Sequence, residues 1–368
     1  MLFLLSPDTQ RFRVFELLNN ELINFLEKSI AIGPFHRNLF SAGAIGDACW
    51  SNAPTRDKFE ELFNVLQTQS QNIRQQLFDI SNNNQDLQVF FATPVRNLLN
   101  FLPASSFKAL KKVATHLYCS TKDLQAITQY AGGIDIHQHF ESFRRQTVNG
   151  NICRACGMAE LAAFRASVSE GEQWRADYDH QLCKSKYPIF AVHPDNLIPL
   201  CDVCNQDAKK TKDLFRGADG HDRQAFYPFT EHASQYVEIL LEDLRDPEPM
   251  VKVNWNTENP IVRDKLATWN DVYEIHNRVE GRFRSLETII EDEINPEDFL
   301  ELKRFLRRKV QNPVSPATLK RKEFAFWHQK LFEKLDQVSQ PDLEAFLEKC
   351  RFIGEQAASS ADYILEGA

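Results

Sequence analysis

Two Cys-x-x-Cys pairs, Cys153/Cys156 and Cys201/Cys204, constrain this chain more than any other feature. A Cys-x-x-Cys turn delivers two thiolates from one tight knuckle, so two such turns fill the tetrahedral shell of a zinc ion and leave no open position. Little else accounts for four of the eight cysteines at that spacing in a chain without secretory features. The alternatives are a redox pair, a disulfide framework, or a shell in which His180-x-x-Cys183 replaces one pair. A shell filled by Cys153, Cys156, Cys201 and Cys204 is structural: it ties together the residues between the knuckles and carries no chemistry itself.

Between and just after the knuckles lie Asp177-Tyr178-Asp179-His180, then Asn196-Leu197-Ile198-Pro199-Leu200-Cys201-Asp202-Val203-Cys204-Asn205. In order, a Cys pair, Asp-His, an Asn-Leu step and a second Cys pair followed by Asn resemble the HNH (ββα-metal, His-Me finger) endonucleases with a treble-clef zinc site, over roughly residues 150–212. The resemblance implies a β-hairpin followed by a helix, a single divalent ion distinct from the zinc, and cleavage of a phosphodiester bond.

Carried over residue by residue, the resemblance makes His180 the general base that takes a proton from water, a task suited to a neutral imidazole near pH 7. It makes Asp179 and Asn205 the ligands of a Mg²⁺ or Mn²⁺ ion, the latter at the start of the helix. Asn196 would brace the loop that holds the base, without touching substrate. Many members carry His where this chain has Asn205, and Lys where it has Ala208, with Lys209 and Lys210 just beyond. Asp177 competes with Asp179 as a ligand; in an extended strand the two point the same way, and Asp179 adjoins the base.

Other candidates keep two readings. Lys184 and Lys186 are phosphate contacts or an ordinary solvated loop. His193, before Pro194, is a surface or packing residue, and His137 and His139 sit two apart on a helix, where they share no face. Cys49, Cys119 and Cys350 read as buried inert thiols.

At 368 residues, 43% hydrophobic, the chain is long enough for two or three domains with real cores. We expect a mainly α fold with a small ββα α+β core: a helical segment over 1–134, the zinc-stabilised nuclease core over 135–220, and a mostly helical segment over 221–368. Helix spacing is clear at Phe15, Leu18, Leu22, Phe25 and Leu26, at Phe59, Leu62, Phe63 and Leu66, and at Phe107, Leu110, Val113 and Leu117. Thr55 and Ser120/Thr121 read as helix caps. Ser81–Asn84 and Pro103–Ser106 read as loops, and Gly132-Gly133 as a break. Further on, Phe226–Phe229 and Val251–Trp255 read as extended segments, and Val272 through Ile290 keep helix period. Asn295-Pro296 reads as a helix start, with helix continuing to Phe352.

The opening Leu2–Leu5 run lacks a basic flank and is too short for a signal segment, and no run is long enough to span a bilayer, so a cytoplasmic setting is expected. A net charge of −8 argues against nonspecific coating of nucleic acid and leaves docking to local fields. The dense basic stretch is Lys303–Lys322, which contains no acid; it is a DNA contact or a solvated helix face. With no Gly-x-x-x-x-Gly-Lys-Ser/Thr loop, ATPase activity would come from another chain. The resemblance makes such a partner, and a place in bacterial anti-phage defence, plausible. A zinc-stabilised binding module that does not cut, and an RNA-cleaving nuclease, remain open.

Overall fold

In the computed structural model, residues 1–95, 97–169, 172–173, 176–245 and 249–349 are described. Among the described residues, regular structure comprises fourteen bounded α-helices, a further helical stretch over 340–349, a π-helical turn, short 3-10 turns and two small antiparallel sheets. The helical N-terminal part contains α1 (Arg13–Lys28), α2 (Ala44–Ser51), α3 (Ala53–Gln67), α4 (Gln71–Asn83), α5 (Leu87–Ala92), α6 (Ala104–Cys119), α7 (Gln125–Tyr130) and α8 (Ile136–Arg145). As the spacing predicts, Phe15, Leu18, Leu22, Phe25 and Leu26 form the buried face of α1. The central hairpin pairs β1 (Tyr178–His180) with β2 (Leu197–Pro199), and a second hairpin pairs β3 (Val237–Glu242) with β4 (Met250–Trp255). The C-terminal part contributes α9 (Pro260–Tyr273), α10 (Ile275–Arg282), α11 (Leu286–Glu293), α12 (Phe299–Gln311), α13 (Pro316–Leu319) and α14 (Ala325–Leu335), with helix again over 340–349.

Local chemistry moved several expected boundaries. Asn52, not Thr55, caps α3, its Oδ1 accepting from the Thr55 amide at 3.0 Å; Ser120 makes no capping bond. Ser81–Asn83 belong to α4, and the polar side chains there are satisfied against the preceding turn: Ser81 Oγ donates to the Leu77 carbonyl, and Asn84 Nδ2 to that of Ile80, both at 2.7 Å. Pro103 immediately precedes α6, so Ala104–Ser106 are helical. The α12 helix starts after Asp298, whose carboxylate accepts from the Glu301 amide at 2.7 Å, rather than at Asn295, which has φ +41°. Residues 226–229 form no strand, and the helix-period run from Val272 is broken by Glu274 in the left-handed region. Cys119 is exposed rather than buried; Cys350 and Phe352 lie outside the described residues.

One continuous apolar core runs through all three segments. It closes around the first knuckle, which is held by the first residues of the chain and by helices α9 and α14. The amides of Leu2 and Phe3 donate to the Arg154 carbonyl at 2.9 and 3.1 Å. Trp269 of α9 and Trp327 of α14 donate their indole N–H groups to the carbonyls of Ala155 and Cys156, each at 2.8 Å. Gly157 completes this turn at φ +67°, where a Cβ would fall 2.5 Å from Leu2. Glycine takes this backbone angle without strain and leaves room for the Leu2 side chain.

Candidate metal and nuclease centre

The ligand sulfurs of Cys153, Cys156, Cys201 and Cys204 lie within 4.8 Å of one another, and all four residues are buried. A tetrahedron with Zn–S bonds of about 2.3 Å has edges of about 3.8 Å, and the Cys156–Cys201 separation is 3.9 Å. Burial pushes the Cys153 and Cys204 thiols well above the ordinary cysteine range. Four thiolates cannot share so small a volume without a cation, and a metal ion such as zinc would supply the missing charge.

The surroundings fit a tetrathiolate centre with its net negative charge. The amides of Met158 and Cys201 point at sulfurs, 3.4 Å from Cys156 and 3.5 Å from Cys153. Arg278 Nη1 sits 3.1 Å from Cys204 Sγ; burial opposes its charge, but the sulfurs of Cys204 and Cys156 outweigh that and raise its pKa. Arg154 is fully buried beside Cys153, its Nε and Nη1 making no hydrogen bond with the described residues, and burial lowers its pKa to about 9. Guanidinium groups so placed make sense against an anionic cluster. The His180/Cys183 alternative fails: neither belongs to a metal-capable group among the described residues.

The second knuckle follows β2 directly, so the hairpin is joined to the cluster by a single residue, Leu200. His180 ends β1 opposite Leu197. Its Nε2 lies 2.9 Å from the Ala191 carbonyl. A carbonyl only accepts, so Nε2 carries the proton and the lone pair is on Nδ1, which has no hydrogen-bond partner among the described residues. Burial, then the charges of Lys184 and Lys209, lower the imidazole pKa to about 3, so the ring is neutral at pH 7.

The loop from 181 to 196 presents that carbonyl, and Asn196 braces it. Fully buried, Asn196 accepts from the Leu182 amide at 2.6 Å and donates to the carbonyls of Leu182 and Phe190 at 3.1 and 2.8 Å. Asn196→Ala would strand these groups, at about 1–3 kcal/mol for each one left unsatisfied. We expect a loss of about 3 kcal/mol or more in denaturant unfolding; a loss under 1 kcal/mol would remove its bracing role.

One neighbour carried no signal in the sequence. Tyr118, near the end of α6, sits edge-on to His180 with ring centroids 4.4 Å apart, and its hydroxyl donates to the Tyr178 carbonyl at 3.0 Å. Lys184 Nζ lies 4.8 Å from the centre of the same tyrosine ring. The N-terminal helices thus supply one wall of the candidate site, from a position far away in the chain.

Asp179 is where the structure differs most from expectation. Its side chain is 3% exposed, and Lys209 Nζ lies 2.9 Å from Oδ1. Gln181 Nε2 donates to Oδ2 at 2.7 Å. Burial raises the Asp179 pKa, and Lys209 opposes the rise. With an ammonium on one oxygen and an amide on the other, this carboxylate as arranged does not offer a divalent ion a ligand. Asn205 is partly buried, and its side chain makes no hydrogen bond with the described residues. It lies inside a π-helical turn, Val203–Lys209, where an α-helix would be the ordinary expectation. Asp177 is exposed, just outside β1, unlike buried Asp179.

The remaining candidates are mostly engaged. Lys186 pairs with Asp213 at 3.3 Å. His193 Nε2 donates to the Gln85 carbonyl at 2.9 Å, a packing role. His139 bonds to the Tyr178 hydroxyl and the Gln10 carbonyl, at 2.5 and 2.9 Å. No family model, no curated protein and no solved structure matches this chain. No helix among the described residues is long and apolar enough to cross a membrane.

Proposed function

We propose that the chain is a metal-dependent endonuclease acting on DNA, with His180 as general base. The observation that carries the reading is the His180 imidazole: neutral, tautomer set by Ala191, Nδ1 unpartnered, on a hairpin fastened to a four-cysteine cluster. Water bound at Nδ1 would lose its proton to the ring as its oxygen bonds to phosphorus, while one P–O ester bond breaks and the released strand-end oxygen takes a proton from solvent. An anionic phosphodiester beside the ring would raise its proton affinity from the low value set by burial and the two lysines.

A divalent ion at Asp179 and Asn205 belongs to this proposal, but it requires Lys209 to leave the carboxylate. The buried Asp179–Lys209 pair equally favours a second reading, a zinc-stabilised module that binds without cutting. Incubating zinc-loaded protein with DNA and with RNA, in Mg²⁺ or Mn²⁺ and in chelator, separates the two. Metal-dependent shortening of DNA supports the nuclease, cleavage of RNA alone reassigns the substrate, and no cleavage with retained binding favours the module.

For docking, Arg304, Arg307 and Arg308 are exposed on α12. Their neighbours are partly committed: Lys303 pairs with Asp336 at 3.1 Å and Lys322 with Glu293 at 3.2 Å. Reversing the three arginines to Glu is expected to weaken DNA binding for every sequence and to flatten the salt dependence of log affinity, because fewer counterions are released. An unchanged slope in a fluorescence-anisotropy salt series would leave α12 as a solvated face. An ATPase partner and a role in anti-phage defence complete the proposal, and co-purification from the native host tests the partner.

A further inference from the structure

Of the two lysines in the loop between β1 and β2, Lys186 is paired with Asp213 at 3.3 Å. Lys184 makes no ion pair with a described residue, and its Nζ lies 4.8 Å from the centre of the Tyr118 ring. The side chain is partly buried, so its charge is held near the base instead of ranging through solvent. After burial itself, that charge acts most strongly on the His180 imidazole. The nearby Asp179–Lys209 pair, 2.9 Å apart, compensates itself and leaves the Lys184 charge without a protein partner.

Tyr118 fixes how this cation stands to the base. Its hydroxyl donates to the Tyr178 carbonyl at 3.0 Å, and Phe15 of α1 stacks on its ring with centroids 5.8 Å apart. His180 meets the same ring edge-on at 4.4 Å. A neutral imidazole whose Nδ1 has no hydrogen-bond partner among the described residues and an ammonium without a counter-ion therefore share one anchored aromatic support. What the two lack is an anion that accepts hydrogen bonds and carries an electrophilic atom to about 3–3.5 Å from a water on Nδ1. A phosphate group does both, because a nonbridging oxygen takes a charge-assisted bond from Nζ while phosphorus faces the water.

We propose that Lys184 is the phosphate-binding residue of the site: its ammonium donates to a nonbridging oxygen of the phosphodiester that faces His180 Nδ1, and Tyr118 positions the two. The inference rests on the nuclease reading and adds a residue to it. Lys184 keeps its proton throughout. The water gives its proton to Nδ1, its oxygen bonds to phosphorus, and one P–O ester bond breaks, the released oxygen taking a proton from solvent. Negative charge gathers on the nonbridging oxygens as this happens, so the Lys184 contact strengthens on the way to the transition state and acts on kcat.

The test uses the full, zinc-loaded chain as wild type, Lys184→Met, Lys184→Arg, Lys186→Met, Tyr118→Leu and Tyr118→Phe, with zinc content and melting temperature verifying the folding of each. Hydrolysis of bis(p-nitrophenyl) phosphate in Mn²⁺ reads the site without a DNA-docking surface. Binding of inorganic phosphate, followed at fixed pH by the side-chain nitrogen resonances of His180, reads it without turnover. Lys184→Met should lower kcat for the diester by about 10²–10³-fold and weaken phosphate binding about tenfold or more, with Lys184→Arg recovering much of both and Lys186→Met changing little. Tyr118→Leu should lower kcat, and Tyr118→Phe, which keeps the ring, should rescue it. Undiminished hydrolysis by folded Lys184→Met, or an equal loss in Lys186→Met, would overturn the proposal and leave the nuclease reading standing. Lys184-dependent phosphate binding by a wild type that hydrolyses neither the diester nor DNA would overturn the nuclease reading and keep the phosphate site. Neither binding nor hydrolysis in any folded protein would overturn both.

Discussion

Serine at position 201 is expected to empty the metal site, lowering zinc from about one ion per chain to near none, and to lower the melting temperature by about 10 °C or more. Structural zinc binding in small domains is worth about 10–16 kcal/mol, and loss of only part of that is large at about 2–4 °C per kcal/mol in a protein of this class. Here the effect should spread, because the first knuckle anchors Leu2, Phe3, Trp269 and Trp327, while the second follows β2. Elemental analysis and calorimetry on matched preparations read both quantities. Wild-type protein without zinc, or Cys201→Ser protein with full zinc and unchanged melting, would contradict a structural tetrathiolate centre.

Alanine at position 180 is expected to lower cleavage by about 10²–10⁴-fold, the usual contribution of a positioned general base. Zinc content and DNA affinity should stay near those of wild type, since His180 is outside the sulfur cluster. Stability should fall by about 1–3 kcal/mol, because the Ala191 carbonyl loses its donor and the contact with Tyr118 is lost. Undiminished cleavage would remove His180 as the base.

What the sequence disclosed was local. Fixed spacings named the four cysteines, and the resemblance carried by Asp179, His180 and Asn196 implied a strand end and a brace; the structure brings the cysteines together and gives Asn196 its three loop bonds. Helix periodicity found α1, α3 and α6 because their apolar faces repeat cleanly. Contacts between distant segments were not legible. Tyr118 stands beside His180, and Arg278 beside Cys204, through packing that no spacing encodes. Lys209 was visible next to Ala208, but its burial depends on a π-helical turn, and one extra residue per turn leaves no mark in a hydrophobic pattern. Boundaries failed where polar side chains bond back to the backbone, as at Ser81, or where an acid two residues past the Asn295-Pro296 pair is the actual cap, as at Asp298.

The most direct measurement is cleavage of supercoiled plasmid DNA by wild-type and His180→Ala proteins, purified side by side and matched for zinc content, with Mn²⁺ and with excess chelator. Conversion to nicked or linear plasmid by wild type in Mn²⁺, lost in chelator and reduced at least about a hundredfold by the substitution, is the expected result. Equal cleavage by the two proteins, or none by folded, zinc-loaded wild type on DNA, would contradict a nuclease built on His180.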